Sequence, residues 1–213
     1  NQAFNMDCLE FMKMLPDKCI DLVLTDPPYG IFKKGASSGF MKNNYDFKDS
    51  DITEWDKRPE KEYFDEIFRI SKHHIIWGMQ YFSDYLPAFS QLLIWDKGTG
   101  ANYFADGEAA FCSIKGTLRI FKKTWCGAVR AGNQNGKKNQ HPNQKPTQLF
   151  KWCLDKMKKN SFIVFDPYLG SFTTAIAADH HDINWIGCEK DPDYFKSGYH
   201  RYEQETKQLL MEF

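Results

Sequence analysis

"SFIVFDPYLGSFTTAIAA", residues 161–178, runs from an apolar stretch through small residues into a helix-forming segment. "SFIVFD" (161–166) is short, branched and aromatic, which suits a strand buried on both faces. Thr173 onward has helical character through His180. Strand, turn of small residues and helix form the repeating unit of a sheet covered on both sides.

Working outward, the same alternation fills most of the chain. "CIDLVLTD" (19–26), "HHIIWG" (73–78), "LLIWDK" (92–97) and "INWIGCE" (183–189) are further apolar runs bounded by breakers. Helical patterns lie at Asp7–Leu15, Lys61–Lys72, Thr147–Lys158, Thr173–His180 and Pro192–Leu210. Near-continuous apolar strands separated by helices predict an α/β fold with a doubly wound, mostly parallel sheet. "EAAFCSI" (108–114) follows "LLIWDK" with no helix between them, so an antiparallel strand is the economical expectation. Gly30–Asp51 and Gly127–Gln140 carry no period and read as loops. One domain over 1–213 is expected, with insertions near 30–58 and 127–140 as candidate contact segments.

Bulk composition excludes more than it selects. Lys and Arg number 28 and so do Asp and Glu, so net charge names no partner. Cysteines 8, 19, 112, 126, 153 and 188 form no C-x-x-C pair, which fits reduced thiols rather than a disulfide framework or zinc site. No apolar run reaches the length of about 18 residues that a membrane helix needs. The histidines offer no ligand set, so no metal is expected, and a cytoplasmic location follows from the thiols and the lack of a signal-like start. The chain begins at Asn1 without methionine, so its natural start is expected upstream.

Charge is unevenly placed. From Ala109 to Leu154 there is no acid, while Lys115, Arg119, Lys122, Lys123, Arg130, Lys137, Lys138, Lys145 and Lys151 fall inside. A run of one sign is usually a solvated face. This one also contains Asn, Gln, His and Trp, which suit base edges and stacking, so a nucleic acid is preferred as partner. Lys122, Lys123, Arg130, Lys137 and Lys138 are the candidate phosphate contacts.

Two short stretches carry candidate chemistry. In "TDPPYG" (25–30) two prolines remove two backbone donors and end the strand, leaving Asp26 at its tip. A plain turn is the alternative. In "DPYLGSFTT" (166–174) the strand end and free helix amides suit a nucleotide-type cofactor, against an ordinary turn capped by Ser171 or Thr173. Glu189 ends the next strand, where such folds place an acid for ribose hydroxyls.

Taken together these motifs resemble the S-adenosyl-L-methionine (SAM)-dependent amino-methyltransferases of DNA. "DPPY" (26–29) matches their catalytic tetrapeptide, and "DPYLGSFTT" is similar to their cofactor loop. "HPNQKP" (141–146) is similar to the run that precedes that loop, and "NMDCLEFMKMLPDKCIDLVLTDPPY" to their N-terminal block. The order, catalytic motif first, is that of the permuted β group. The resemblance implies a seven-stranded sheet with one antiparallel strand, SAM as cofactor, and a flipped DNA base as substrate.

It assigns catalysis to Asp26, Pro27, Pro28 and Tyr29. Asp26 and the Pro27 carbonyl would accept the two N–H bonds of the target amine, and Tyr29 would stack on the base. Cofactor contacts fall to Asp7, Cys8, Asp26, Lys145, Asp166, Tyr168, Gly170, Ser171, Thr173, Glu189 and Lys190. Asp at the first tetrapeptide position implies adenine N6, with cytosine N4, an RNA adenine or a non-catalytic binding module as alternatives. A homodimer is a further expectation. Phe172 and Met6 stand where the family has glycines. At Phe172 a negative φ is expected, with the ring turned away from the cofactor.

Overall fold

A computed structural model describes residues 1–31, 56–89, 91–99, 105–126, 129–130, 144–157 and 161–207. The chain order is β1 (Gln2–Phe4), α1 (Cys8–Met14), β2 (Ile20–Thr25), α2 (Lys61–Ile70), β3 (Ser71–Trp77), a 3₁₀ turn (Met79–Tyr81), β4 (Gln91–Asp96) and β5 (Gly107–Cys112). It continues with β6 (Arg119–Lys122), β7 (Trp125–Cys126), β8 (Val129–Arg130), α3 (Thr147–Leu154), β9 (Ile163–Asp166), α4 (Thr173–Asp179), β10 (Asn184–Cys188) and α5 (Pro192–Lys207).

Eight strands form one sheet in the order β1-β10-β9-β2-β3-β5-β4-β6, and β7 and β8 pair separately. All the ladders of the large sheet are parallel except those of β5, which runs antiparallel to both β3 and β4. The α/β class and the antiparallel strand agree with the sequence. The sheet is one strand larger than the expected seven. Neither β1, three residues long, nor β6, whose sequence RIFK carries two basic residues, presents the apolar run that marks the other strands.

Alternate side chains of the central strands enter two cores. Leu22, Leu24, Ile75, Trp77 and Val164 share one core with α3, α4 and α5, which contribute Leu149, Phe150, Ala175 and Phe195. Val23, Ile76 and Phe165 meet α1 and α2 on the other through Phe11, Met12, Phe64 and Ile67. This period of two explains why both faces are apolar in strands that read as unbroken hydrophobic runs. Helix ends fall short of the sequence estimates: α2 stops at Ile70 because β3 starts at Ser71 with no linker, and α3 stops at Leu154.

The chain leaves β2 toward β3 on one side and returns to place β9 on the other. The β2/β9 boundary is therefore the switch point at whose carboxyl edge open α/β sheets gather their ligands. Asp26 follows β2 and Asp166 closes β9 there. Most of the expected loop segments, 32–55 and 131–143, lie outside the described residues.

Candidate active site at the carboxyl ends of the strands

Asp26 sits where β2 ends, its side chain 11% exposed. Lys145 Nζ donates to Asp26 Oδ2 at 2.6 Å, and the Tyr29 hydroxyl donates to Oδ1. Glu108, at the start of β5, lies 3.2 Å from Lys145 Nζ through Oε2 and 2.6 Å from Lys97 Nζ through Oε1. Because β5 is antiparallel, its first residues reach the same edge as the last residues of its neighbours: Glu108 pairs with Trp95 and Gly107 with Asp96. The turn itself is held by Asp56, whose Oδ1 accepts from Tyr29 N and Gly30 N, each at 3.0 Å. Pro27 and Pro28 are buried.

Electrostatics divide the two acids. Burial raises the Asp26 carboxyl above its ordinary range; Lys145 opposes that, and the nearby Glu108 charge adds to it. Burial also works to raise Glu108, but Lys145 and Lys97 outweigh it and hold the carboxyl low. Lys145 is likewise held up by the two carboxylates against burial.

The Tyr29 ring does not stand open for a base here. It stacks on Tyr81 at 4.7 Å and lies so close over Gly78 that a Cβ there would overlap it.

Next to this cluster, the loop after β9 wraps a second one. Asp166 is buried, accepting from Tyr168 N at 3.1 Å and from the Thr174 hydroxyl. Burial pushes its carboxyl up to about 7. Gly170 N donates to Glu189 Oε2 and Asp191 N to Oε1, both at 2.9 Å. Asp7 caps α1, accepting from Leu9 N, and takes an ion pair from Lys190 at 3.0 Å. Cys8 is buried beneath, beside Tyr168. The predicted cofactor residues Asp7, Cys8, Asp166, Tyr168, Gly170, Glu189 and Lys190 thus surround the ends of β1, β9 and β10.

Two expectations change, and the alternative of a capped turn is not met. Lys145, assigned to the cofactor, has its ammonium on Asp26 instead. Ser171 and Thr173 do not cap α4: the N-cap is Phe172, with no side-chain hydrogen bond, and the two hydroxyls bond each other at 3.1 Å. Phe172 itself has φ +60°, not the negative value expected. Its ring does turn away, fully buried against Trp185, Phe195 and Tyr199.

Residues 114–200 match the family model described as DNA methylase, N6_N4_Mtase. That span contains Lys145 and the stretch from Asp166 to Glu189. Over that span, which is less than half of its length, the chain is similar to the N6/N4 DNA methylases.

Among its relatives, the Type II methyltransferase M2.MboI of Moraxella bovis is 23% identical over 97% of this chain and 89% of its own length. The DNA adenine methyltransferase YhdJ of Escherichia coli (strain K12) is 26% identical over 92% and 81%. The crystal structure of the M1.HpyAVI–SAM complex superposes with TM-score 0.59 at 20% identity, covering 94% of this chain and 98% of that one. The PvuII DNA methyltransferase, titled cytosine-N4-specific, reaches TM-score 0.63 at 16% identity, covering 97% and 90%. These structures share the fold.

The basic third of the chain has an informative layout. Lys115, Arg119 and Lys122 are exposed on and before the edge strand β6, and Lys123 is half-buried after it. Lys122 is 78% exposed and 3.8 Å from Asp96. Arg130 belongs to β8, while Lys137 and Lys138 lie outside the described residues.

Reading the sequence missed Glu108, Lys97, Asp56 and Arg201. Arg201 of α5 is buried and donates to Ser171 O at 2.7 Å and to the Thr147 and Thr173 hydroxyls at 3.1 Å. No motif marks an arginine that works from beneath a loop. For Glu108 a signal existed: an acid opening an antiparallel strand lands among parallel carboxyl ends.

Proposed function

We propose that this chain transfers a methyl group from SAM to the exocyclic N6 amino group of an adenine in DNA. The observation that carries the reading is Asp26, a mostly buried carboxylate at the switch-point edge, following a strand and preceding two prolines, with the cofactor-loop residues beside it. The residues present fit the cofactor. Each oxygen of Glu189 accepts one backbone N–H and keeps a lone pair for a ribose hydroxyl. Thr25 Oγ1 and Tyr63 OH are buried near Asp166 without a well-formed hydrogen bond among the described residues. The Phe172 ring is buried in the core against Trp185, Phe195 and Tyr199.

SAM, when bound, supplies an electrophilic methyl on a sulfonium. The chain's task is the nucleophile. An exocyclic amine is weak because its lone pair is delocalised into the ring; an acceptor on its N–H turns the nitrogen tetrahedral and frees the pair. Asp26 provides that acceptor, and the Pro27 carbonyl is the second by family resemblance. As the nitrogen is alkylated it must release a proton, and Asp26 is the group proposed to take it. Positioning and electrostatics carry the catalysis, with no covalent intermediate.

Asp26→Ala is expected to lower single-turnover methyl transfer by roughly 10²–10³ or more while DNA binding persists. Near-normal turnover would overturn the assignment. The PvuII likeness favours cytosine N4 as the second reading. Methylation of a random-sequence duplex followed by base analysis separates the two: N6-methyladenine supports the proposal and N4-methylcytosine replaces it.

A further inference from the structure

Lys145 lies between two carboxylates, 2.6 Å from Asp26 and 3.2 Å from Glu108, and is only 5% exposed. Glu108 is 13% exposed and its other oxygen is taken by Lys97, itself 16% exposed. Both oxygens of Asp26 are also engaged, by Lys145 and by the Tyr29 hydroxyl, which reaches within 3.4 Å of Glu108. An amino group arriving at Asp26 competes with these partners for the carboxylate's lone pairs. A buried ammonium cannot simply be released, since it would be left without a counter-charge in a poorly solvated site.

We propose that Glu108 is a positioning residue that receives Lys145 when the target amino group takes the lysine's place on Asp26. Lys97 holds the far oxygen of Glu108, so the near one stays aimed at Lys145. The ammonium then keeps a carboxylate on it in both states, and Asp26 changes partner without leaving a charge stranded. Asp26 is faced by Tyr29 from its own turn, Glu108 from β5, Lys145 from the approach to α3 and Asp166 from β9. This role rests on the methyl-transfer reading.

The test follows the Asp26 carboxyl by ¹³C NMR titration, alongside single-turnover methyl transfer and SAM affinity, in wild type, Glu108→Gln, Glu108→Asp and Lys97→Met. In Glu108→Gln, Lys145 has Asp26 alone to pair with. The Asp26 midpoint should fall, and the transfer rate should drop about tenfold or more at every pH, with SAM affinity unchanged. Easier ionisation of Asp26 alone would leave the plateau rate intact, so the lowered plateau is what distinguishes a lysine that cannot let go. Glu108→Asp should recover most of the rate. Lys97→Met leaves Glu108 to draw Lys145 more strongly, so there the Asp26 midpoint should rise. An unchanged plateau in Glu108→Gln overturns the proposal; if that variant does not fold, a Lys97→Met midpoint that fails to rise does so. A wild type that methylates no DNA sinks the methyl-transfer reading, whereas equal Asp26 midpoints in all the proteins sink the sharing of Lys145 whatever the activity.

Discussion

Asp166 holds a proton at a pH where an ordinary aspartate has lost it. Its carboxyl is raised by burial to about 7, while the unfolded chain releases that proton near the usual 3.8. The folded state therefore binds more protons than the unfolded one between about pH 4 and 7. The contribution of this group to stability is full below pH 4 and is lost as pH climbs to 7, by up to about 4 kcal/mol. Asp166→Asn, which cannot ionise, should remove this dependence. The stability difference between variant and wild type in urea should grow in the variant's favour from pH 4 to pH 7. A constant difference would show that Asp166 is ionised throughout.

At Glu189 the test is binding. Glu189→Ala should raise the SAM Kd by one to two orders of magnitude, the worth of roughly 1.5–3 kcal/mol for a charge-assisted hydrogen bond. Unchanged affinity by calorimetry would place the cofactor elsewhere. These acids were legible because carboxylates at the ends of apolar strands stand out against their flanks. Glu108 was not, since its meaning depends on which way β5 runs, and the partner of Lys145 could not be read from a run with no acid in it.

Among the elements, α5 carries the loop after β9 on its back. Gly198 gives the clearance: a Cβ there would overlap the Phe172 ring and the Gly170 carbonyl. Arg201, one turn on, clamps Ser171 O from below, with Glu205 on its Nε at 2.8 Å. The family's glycine and its replacement are thus reconciled by a helix about thirty residues later. Phe172 retains the left-handed backbone that a glycine would favour, at a cost of about 1 kcal/mol or more, and fills a core site worth roughly 3–5 kcal/mol in return. Phe172→Gly should accordingly destabilise the chain by roughly 2–4 kcal/mol in urea unfolding, with only a modest change in SAM affinity. Restored binding in a wild type that binds no SAM would instead mean that the ring fills the pocket. The helical period of α5 was readable in the sequence, but its dependence on Phe172 was not, because a glycine inside a helix signals only tolerance or packing.

On the scale of the whole molecule, the neutral chain presents Lys115, Arg119 and Lys122 along the β6 edge, and the phosphate contacts proposed there predict a salt signature. Replacing Lys122 by Ala should lower the slope of log affinity for DNA against log salt by about one unit. An unchanged slope would make this edge a solvated face.

The strand order has a consequence for how such a chain is born. β2 leads into the Asp26 turn and occupies the middle of the sheet, yet one of its two neighbours, β9, is made about 140 residues after it. Until β9 is synthesised, β2 has an unpaired side in the emerging polypeptide, and Asp26 waits for Lys145. An N-terminal piece ending before β9 would expose an apolar strand edge, the feature that invites aggregation. Refolding of the whole chain should be slow for its size, since both its central pairing of β2 with β9 and its edge pairing of β1 with β10 close long loops. A ribosome stalled before β9 should hold a chain still open to proteases, with protection arriving only once β9 and β10 have cleared the exit tunnel.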